Sequence, residues 1–175
     1  GNAMSSQYET SSGFSTSSSS SSSASSVTAI AVGSSHICAL LDNASVKCWG
    51  RNNHGQLGID NNTNMGDNSS EMAVLPTVNL GTGRTATAIA AGNYHTCAVL
   101  DNASVKCWGR NDYGNLGIDN TTHMGDNSGE MAVLPTVNLG TGRTATAIAA
   151  GSIYTCALLA NASVKCWGYN NHGQL

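Results

Sequence analysis

The feature that most restricts this chain is a pair of cysteines ten positions apart, present three times in nearly the same words. The copies read C-A-L-L-D-N-A-S-V-K-C-W-G from Cys38, C-A-V-L-D-N-A-S-V-K-C-W-G from Cys97 and C-A-L-L-A-N-A-S-V-K-C-W-G from Cys156. A short apolar run, a polar turn and then V-K-C-W-G is the pattern of a β-hairpin. Placing Cys97 opposite Cys107 puts Ala98 opposite Lys106 and Leu100 opposite Ser104, with Asp101, Asn102 and Ala103 as the turn. Cross-strand neighbours on one face have Cβ atoms about 4.5–5.5 Å apart, which a small adjustment brings to disulfide distance. The spacing therefore predicts one staple per hairpin, joining Cys38 to Cys48, Cys97 to Cys107 and Cys156 to Cys166. In an oxidising compartment each would close an eleven-residue loop and stabilise the fold by about 3 kcal/mol. In the cytosol the same residues would be buried thiols acting as small hydrophobes. All six cysteines fall in the hairpins at one fixed spacing, which favours the disulfides.

From Val27 onward the chain repeats with a period of 59 residues, so that Gly33, Gly92 and Gly151 correspond, as do Trp49, Trp108 and Trp167. Residues 29–87 and 88–146 are identical at all but eleven positions, the mark of an array built by duplication. The repeats divide as residues 27–87, 88–146 and 147–175. Within a period the alternation predicts four strands, at residues 75–80, 87–91, 94–100 and 105–109. They recur at 134–139, 146–150, 154–159 and 164–168, while the first copy lacks the opening strand and begins with 28–32. The G-T-G-R runs at 81–84 and 140–143 are turns, and long polar loops occupy 51–74 and 110–133. Charged residues make up only 10% and aromatics 5%, while Gly, Ser, Thr, Asn and Ala dominate, a composition too polar and Gly-rich for a helical bundle. The expected fold class is all-β, with blades of four antiparallel strands in a partial, open propeller of about two and a half to three repeats. A solenoid of small sheets is the alternative. Residues 1–26 are Ser-rich, with an unbroken serine run over 17–23, and are expected to be a disordered linker or glycosylated stalk.

The run G-N-Y-H-T-C-A-V-L from Gly92, followed by V-K-C-W-G-R-N-D-Y-G-N-L-G from Val105, resembles the regulator of chromosome condensation repeat. That family forms seven-bladed β-propellers, and the resemblance covers residues 27–175. It implies a fragment of a propeller, whose ring needs the remaining blades of a longer chain or other copies. The family's hairpin turn is often Asp-Gly, whereas here it is Asp42-Asn43-Ala44 and its copies. Asn tolerates the left-handed conformation, so the hairpin is expected to survive.

The chemistry-bearing residues are read by comparing copies. His36 and His95, each two residues before a cysteine, invite a zinc reading with Cys48 and Cys107, but the third copy has Tyr154 there. A position that accepts tyrosine is a packed ring, so no metal is expected. The same logic sets aside His54, Tyr113 and His172, which alternate at one loop position. Paired, strand-borne cysteines make poor nucleophiles, so no catalytic residue, enzyme activity or cofactor is expected. The loop over residues 60–71 places Asp60, Asn62, Asn64 and Glu71 at EF-hand spacing, with the glycine displaced to Gly66. Asp60, Asp67 and Glu71, with Asp119, Asp126 and Glu130, are therefore weak calcium candidates, a solvated loop being the alternative. Six N-x-S/T sequons, at Asn43, Asn61, Asn68, Asn102, Asn120 and Asn161, are glycosylation candidates. The three tryptophans are expected in the packing between blades.

A formal net charge of −3 builds no basic face, so nucleic acid is not an expected partner. No run of 18 apolar residues is present, so no helical membrane span is expected. These readings converge on a non-enzymatic protein-interaction module, secreted or at the cell surface, with disulfide-stapled blades and long loops as its binding rim. The resemblance implies the alternatives: an intracellular regulator of the guanine nucleotide exchange factor or chromatin-adaptor type, or a protein inhibitor on the same fold.

Overall fold

A computed structural model describes residues 25–175. All but the last two residues of the Ser-rich head, expected to be a linker, lie outside the described residues. The remainder forms nine strands: β1 (Val27–Val32), β2 (His36–Leu41), β3 (Val46–Gly50), β4 (Ala86–Ala91), β5 (His95–Leu100), β6 (Val105–Gly109), β7 (Ala145–Ala150), β8 (Tyr154–Leu159) and β9 (Val164–Gly168). They pair as three antiparallel three-stranded sheets, ordered β1-β2-β3, β4-β5-β6 and β7-β8-β9. The hairpin register is the one the cysteine spacing demands. Cys38 faces Cys48, Cys97 faces Cys107 and Cys156 faces Cys166. All three pairs are disulfide-bonded, with Cα atoms 4.1, 4.0 and 4.0 Å apart.

The hairpin tip shows how the turn manages without glycine. The Leu100 N–H donates to the Ser104 carbonyl at 2.9 Å, and the Ala103 N–H donates to the Leu100 carbonyl at 2.8 Å. The left-handed residue is not the asparagine but the alanine, with φ of 60°, 60° and 65° at Ala44, Ala103 and Ala162. Asn102 is needed elsewhere: its Oδ1 accepts the Ser104 N–H at 3.2 Å and the Ser104 hydroxyl at 2.7 Å. The side chain closes a local turn, and the alanine bears a backbone cost of about 1–2 kcal/mol.

Residues 75–80 and 134–139, expected as the opening strand of each blade, do not join a ladder. Each runs beside the preceding hairpin instead, tied by one backbone bond from the Val78 N–H to the Val46 carbonyl (2.9 Å) or from Val137 to Val105 (2.8 Å). Pro76 has no N–H to give, and the Asn79 side chain turns back to accept the Gly81 N–H at 3.0 Å, so the run ends before a ladder can extend. Its apolar residues still serve the core, for Leu75, Val78 and Leu80 are buried.

The core lies between sheets. Leu40, Val46, Leu57, Val78, Leu80, Leu100 and Trp108 fill the seam between the first and second sheets. Val99, Val105, Leu116, Val137, Leu139 and Leu159 fill the next seam. The middle sheet is covered on both faces, and every residue of β5 and β6 is buried. Replacing Cys97 and Cys107 together by Ala is expected to cost about 3 kcal/mol of unfolding free energy, read as a lowered denaturant midpoint.

Candidate functional site

Each seam is held by a short loop that follows the W-G of every hairpin. Asn52 organises the first: its Oδ1 accepts the Leu57 N–H at 2.9 Å and its Nδ2 donates to the Asn61 carbonyl at 2.7 Å. The Gly55 N–H donates to the Asn52 carbonyl and the Gly58 N–H to that of Gly55. The result is a compact knob over residues 52–57 that points the Gln56 carbonyl at the second sheet. That oxygen accepts the Thr96 hydroxyl at 2.8 Å and the Trp108 indole N–H at 3.1 Å. His36 Nε2 lies 2.8 Å from the same threonine oxygen. The next seam repeats the set, with the Asn115 carbonyl accepting from Thr155 at 2.9 Å and Trp167 at 3.0 Å, and His95 Nε2 lying 2.9 Å from Thr155.

Because the Thr96 proton is committed to Gln56, its oxygen accepts from the imidazole. His36 is therefore the Nε2–H tautomer, and its bare Nδ1 lies buried with no partner. Burial lowers the pKa of His36 to about 4, and burial, with the nearby His36, lowers that of His95 to about 4. The ring also explains the glycine three residues earlier. A Cβ on Gly92 would overlap the His95 ring and approach the Gly151 carbonyl oxygen to 2.5 Å. In the third copy Tyr154 packs over Gly151 in the same way. The histidines are thus inter-sheet pins, and the cysteines beside them are disulfide-bonded.

The calcium candidates are spread along the loops. The Asp60 Oδ1 accepts the Met131 N–H of the next repeat at 2.8 Å. Glu71 accepts N–H groups of Gly66 at 2.7 Å and Asn68 at 3.1 Å. The Asn68 side chain, then the N–H groups of Asn68 and Gly66, hold its carboxyl below the usual range. Glu130 does the same for Gly125, Asp126 and Asn127. Asp67 and Asp126 accept from the neighbouring Asn68 and Asn127 side chains, and Asp119 is exposed in a left-handed turn. Among the described residues no three acidic, histidine or cysteine side chains converge as a metal site. All six sequon asparagines are exposed, with Asn43, Asn102 and Asn161 at the hairpin tips.

The rim holds what copy comparison set aside. Arg51 and Arg110 lie 5.6 and 5.7 Å from the Tyr94 ring centroid. His54 meets Tyr94 edge-on at 5.6 Å and His123 at 5.1 Å. Burial, then the charges of His123 and Arg110, lower the His54 pKa. Asp112 bridges Arg110 and sits 3.8 Å from His123. One repeat further on, Tyr113 packs edge-on against Tyr169, which meets His172. The signal was present in the sequence: residues 54, 113 and 172 keep a ring in every copy.

A stack of antiparallel sheets, each joined to the next through a W-G-x-N-x-x-G-x-L knob, is a run of β-propeller blades. The family pattern described as Regulator of chromosome condensation (RCC1) repeat matches residues 27–56, 86–115 and 145–174, and a second pattern of that description matches 45–99. The chain belongs to this family. It is 30% identical to the ultraviolet-B receptor UVR8 of Arabidopsis thaliana, covering 85% of this chain and 31% of the relative. It is also 30% identical to the secretion-regulating guanine nucleotide exchange factor of Mus musculus, covering 84% of this chain and 32% of the relative. The chain thus spans about a third of the length of these relatives. Among solved structures, yeast RCC1 (Prp20) bound to Kap60 superposes with a TM-score of 0.65 at 22% identity over 85% of this chain and 33% of that one. Human WBSCR16 gives 0.66 at 19% identity, over 84% of this chain and 35% of that one. Both show the shared fold.

The buried histidines set a pH dependence. Below the ordinary value of 6.5 the unfolded chain binds protons at His36 and His95 that the folded chain refuses until about 4. Stability is full above that window and falls as pH drops through it, by about 1.4 kcal/mol per pH unit for each histidine. Urea unfolding between pH 6 and 5 is expected to show this slope, and His95→Tyr to remove about half of it.

Proposed function

We propose that this chain is a non-enzymatic protein-interaction module, working outside the cell or at its surface, that presents its loop rim to a protein partner. The observation that carries the proposal is the cluster of Arg51, Tyr94, Arg110 and His54 on the rim. Tyrosine and arginine held in fixed geometry are the residues that dominate protein interfaces. The disulfides support the compartment, since such bonds persist where the surroundings are oxidising. Exposed sequons at Asn43, Asn102 and Asn161 fit the same setting and carry glycans in this proposal. A second reading, regulation of a small GTPase inside the cell, draws on the relative named as a guanine nucleotide exchange factor.

The two readings separate by experiment. Thiol counting on denatured, unreduced protein from its source should find no free thiols; six would sink the extracellular reading. Tyr94→Ala and Arg110→Ala are each expected to weaken capture of native partners at least about tenfold, the weight of an interface hot spot, while leaving the melting temperature within a few degrees. Capture unchanged by both would remove the rim from the proposal. Accelerated release of bound nucleotide from a small GTPase would favour the second reading instead.

A further inference from the structure

The first two repeats differ mainly at one end of the sheets. Of the eleven differences between residues 29–87 and 88–146, eight fall at residues 34–35 and 53–70. Those segments are the β1–β2 turn and the loop leaving β3, which the antiparallel order places at the same end. The opposite end, with the hairpin tip over 42–45 and the G-T-G-R turn over 81–84, carries none. Packing asks the same residues of every copy, so divergence gathered in the loops of one end belongs to side chains with another task. Tyr94, Asp112 and His123 are among the changed residues, standing where the first repeat has Ser35, Asn53 and Asn64.

These changes leave positive charge in excess between the two repeats. Arg51 and Arg110 converge on the single Tyr94 ring, 5.6 and 5.7 Å from its centroid and within cation–π range. Asp112 takes the Nε of Arg110, which leaves the terminal guanidinium nitrogens of Arg110 to face outward. In the repeat of Arg51 that carboxylate is replaced by Asn53, and among the described residues Arg51 has no carboxylate within ion-pairing distance. Arg84, at the opposite end, is by contrast paired with Asp101 at 3.1 Å. Burial, then the charges of His123 and Arg110, favour the neutral form of His54. Two guanidiniums thus stand against one carboxylate. A guanidinium grips a carboxylate through paired N–H groups. An extended polyanion such as a nucleic acid needs a row of cations instead, and the formal net charge of −3 repels it.

We propose that the partner taken by this rim is an acidic protein segment, with one of its carboxylates held between Arg51 and Arg110 beside Tyr94. This partner chemistry rests on the rim reading above. The site is single, because the third repeat has Tyr169 and Ile153 in the positions of Arg110 and Tyr94. The test is calorimetric titration of the chain with hexaglutamate at neutral pH and low salt, with hexaglutamine and hexathymidylate as controls. Hexaglutamate is expected to bind at one site per chain and hexaglutamine not at all. Arg51→Gln is expected to weaken binding about fivefold, the upper weight of one exposed ion pair. Asp112→Asn, which removes the one carboxylate of the site, is expected to tighten it at least about twofold, a gain that damage to the fold would not produce. No binding of hexaglutamate, equal binding of hexaglutamine, tighter binding of hexathymidylate, or weaker binding by Asp112→Asn would each overturn the proposal. Hexaglutamate that fails to bind while partner capture still depends on Tyr94 removes the carboxylate and leaves the rim. Hexaglutamate that binds as expected while capture ignores Tyr94 and Arg110 supports the carboxylate site and removes the rim as the surface that captures the native partner.

Discussion

Two neighbouring sheets cannot slide past one another while the carbonyl oxygens of Gln56 and Asn115 each hold a threonine hydroxyl and an indole N–H from across the seam. Sheets of five- and six-residue strands rich in alanine offer little apolar area, and apolar contact tolerates small shifts. A buried hydrogen bond does not, because breaking it leaves polar groups unpaired in a medium of low dielectric constant. The imidazole that completes each relay fixes the threonine in turn, and the glycine beneath it makes room for the ring. Register between sheets is therefore set by polar groups, and the apolar residues of the seam fill the space those groups define.

Much of this was legible because the chain repeats itself. Ten-residue cysteine spacing fixed which strand faces which, and Cys97 does oppose Cys107. The parts that misled are instructive. L-P-T-V-N-L alternates like a strand, yet Pro76 and the turn-forming Asn79 leave a single backbone bond to the hairpin, from Val78, and no ladder. The left-handed turn residue was expected to be the asparagine; Ala103 takes that conformation because the Asn102 side chain is occupied with Ser104. His54, Tyr113 and His172 looked incidental because they vary in type. What they share is a ring at the rim, and Tyr94 reaches that rim from the next repeat to meet His54, Arg51 and Arg110. Only folding brings those side chains together.

Disulfides and knobs divide the work of holding so polar a chain in shape. The disulfide acts inside a sheet and limits the freedom of a single hairpin in the unfolded ensemble. The knob acts between sheets and involves no covalent bond. The long loops are secured by a third device: Glu71 and Glu130 gather backbone N–H groups of their own segments. That leaves the loop surface free to present side chains while its backbone stays fixed, the arrangement expected where a rigid scaffold carries variable contacts.

Near-copying has a kinetic consequence. The chain places almost no local label on which knob belongs in which seat, since the knobs share one backbone design and the seats one set of residues. Connectivity must supply the missing instruction, by making the adjacent seat the nearest in time as well as in sequence. Wherever the hairpins form faster than the linking segments draw them together, mismatched pairings compete with correct ones, a hazard shared by proteins built from repeats. The order in which neighbouring units meet thus matters as much as the contacts they finally make.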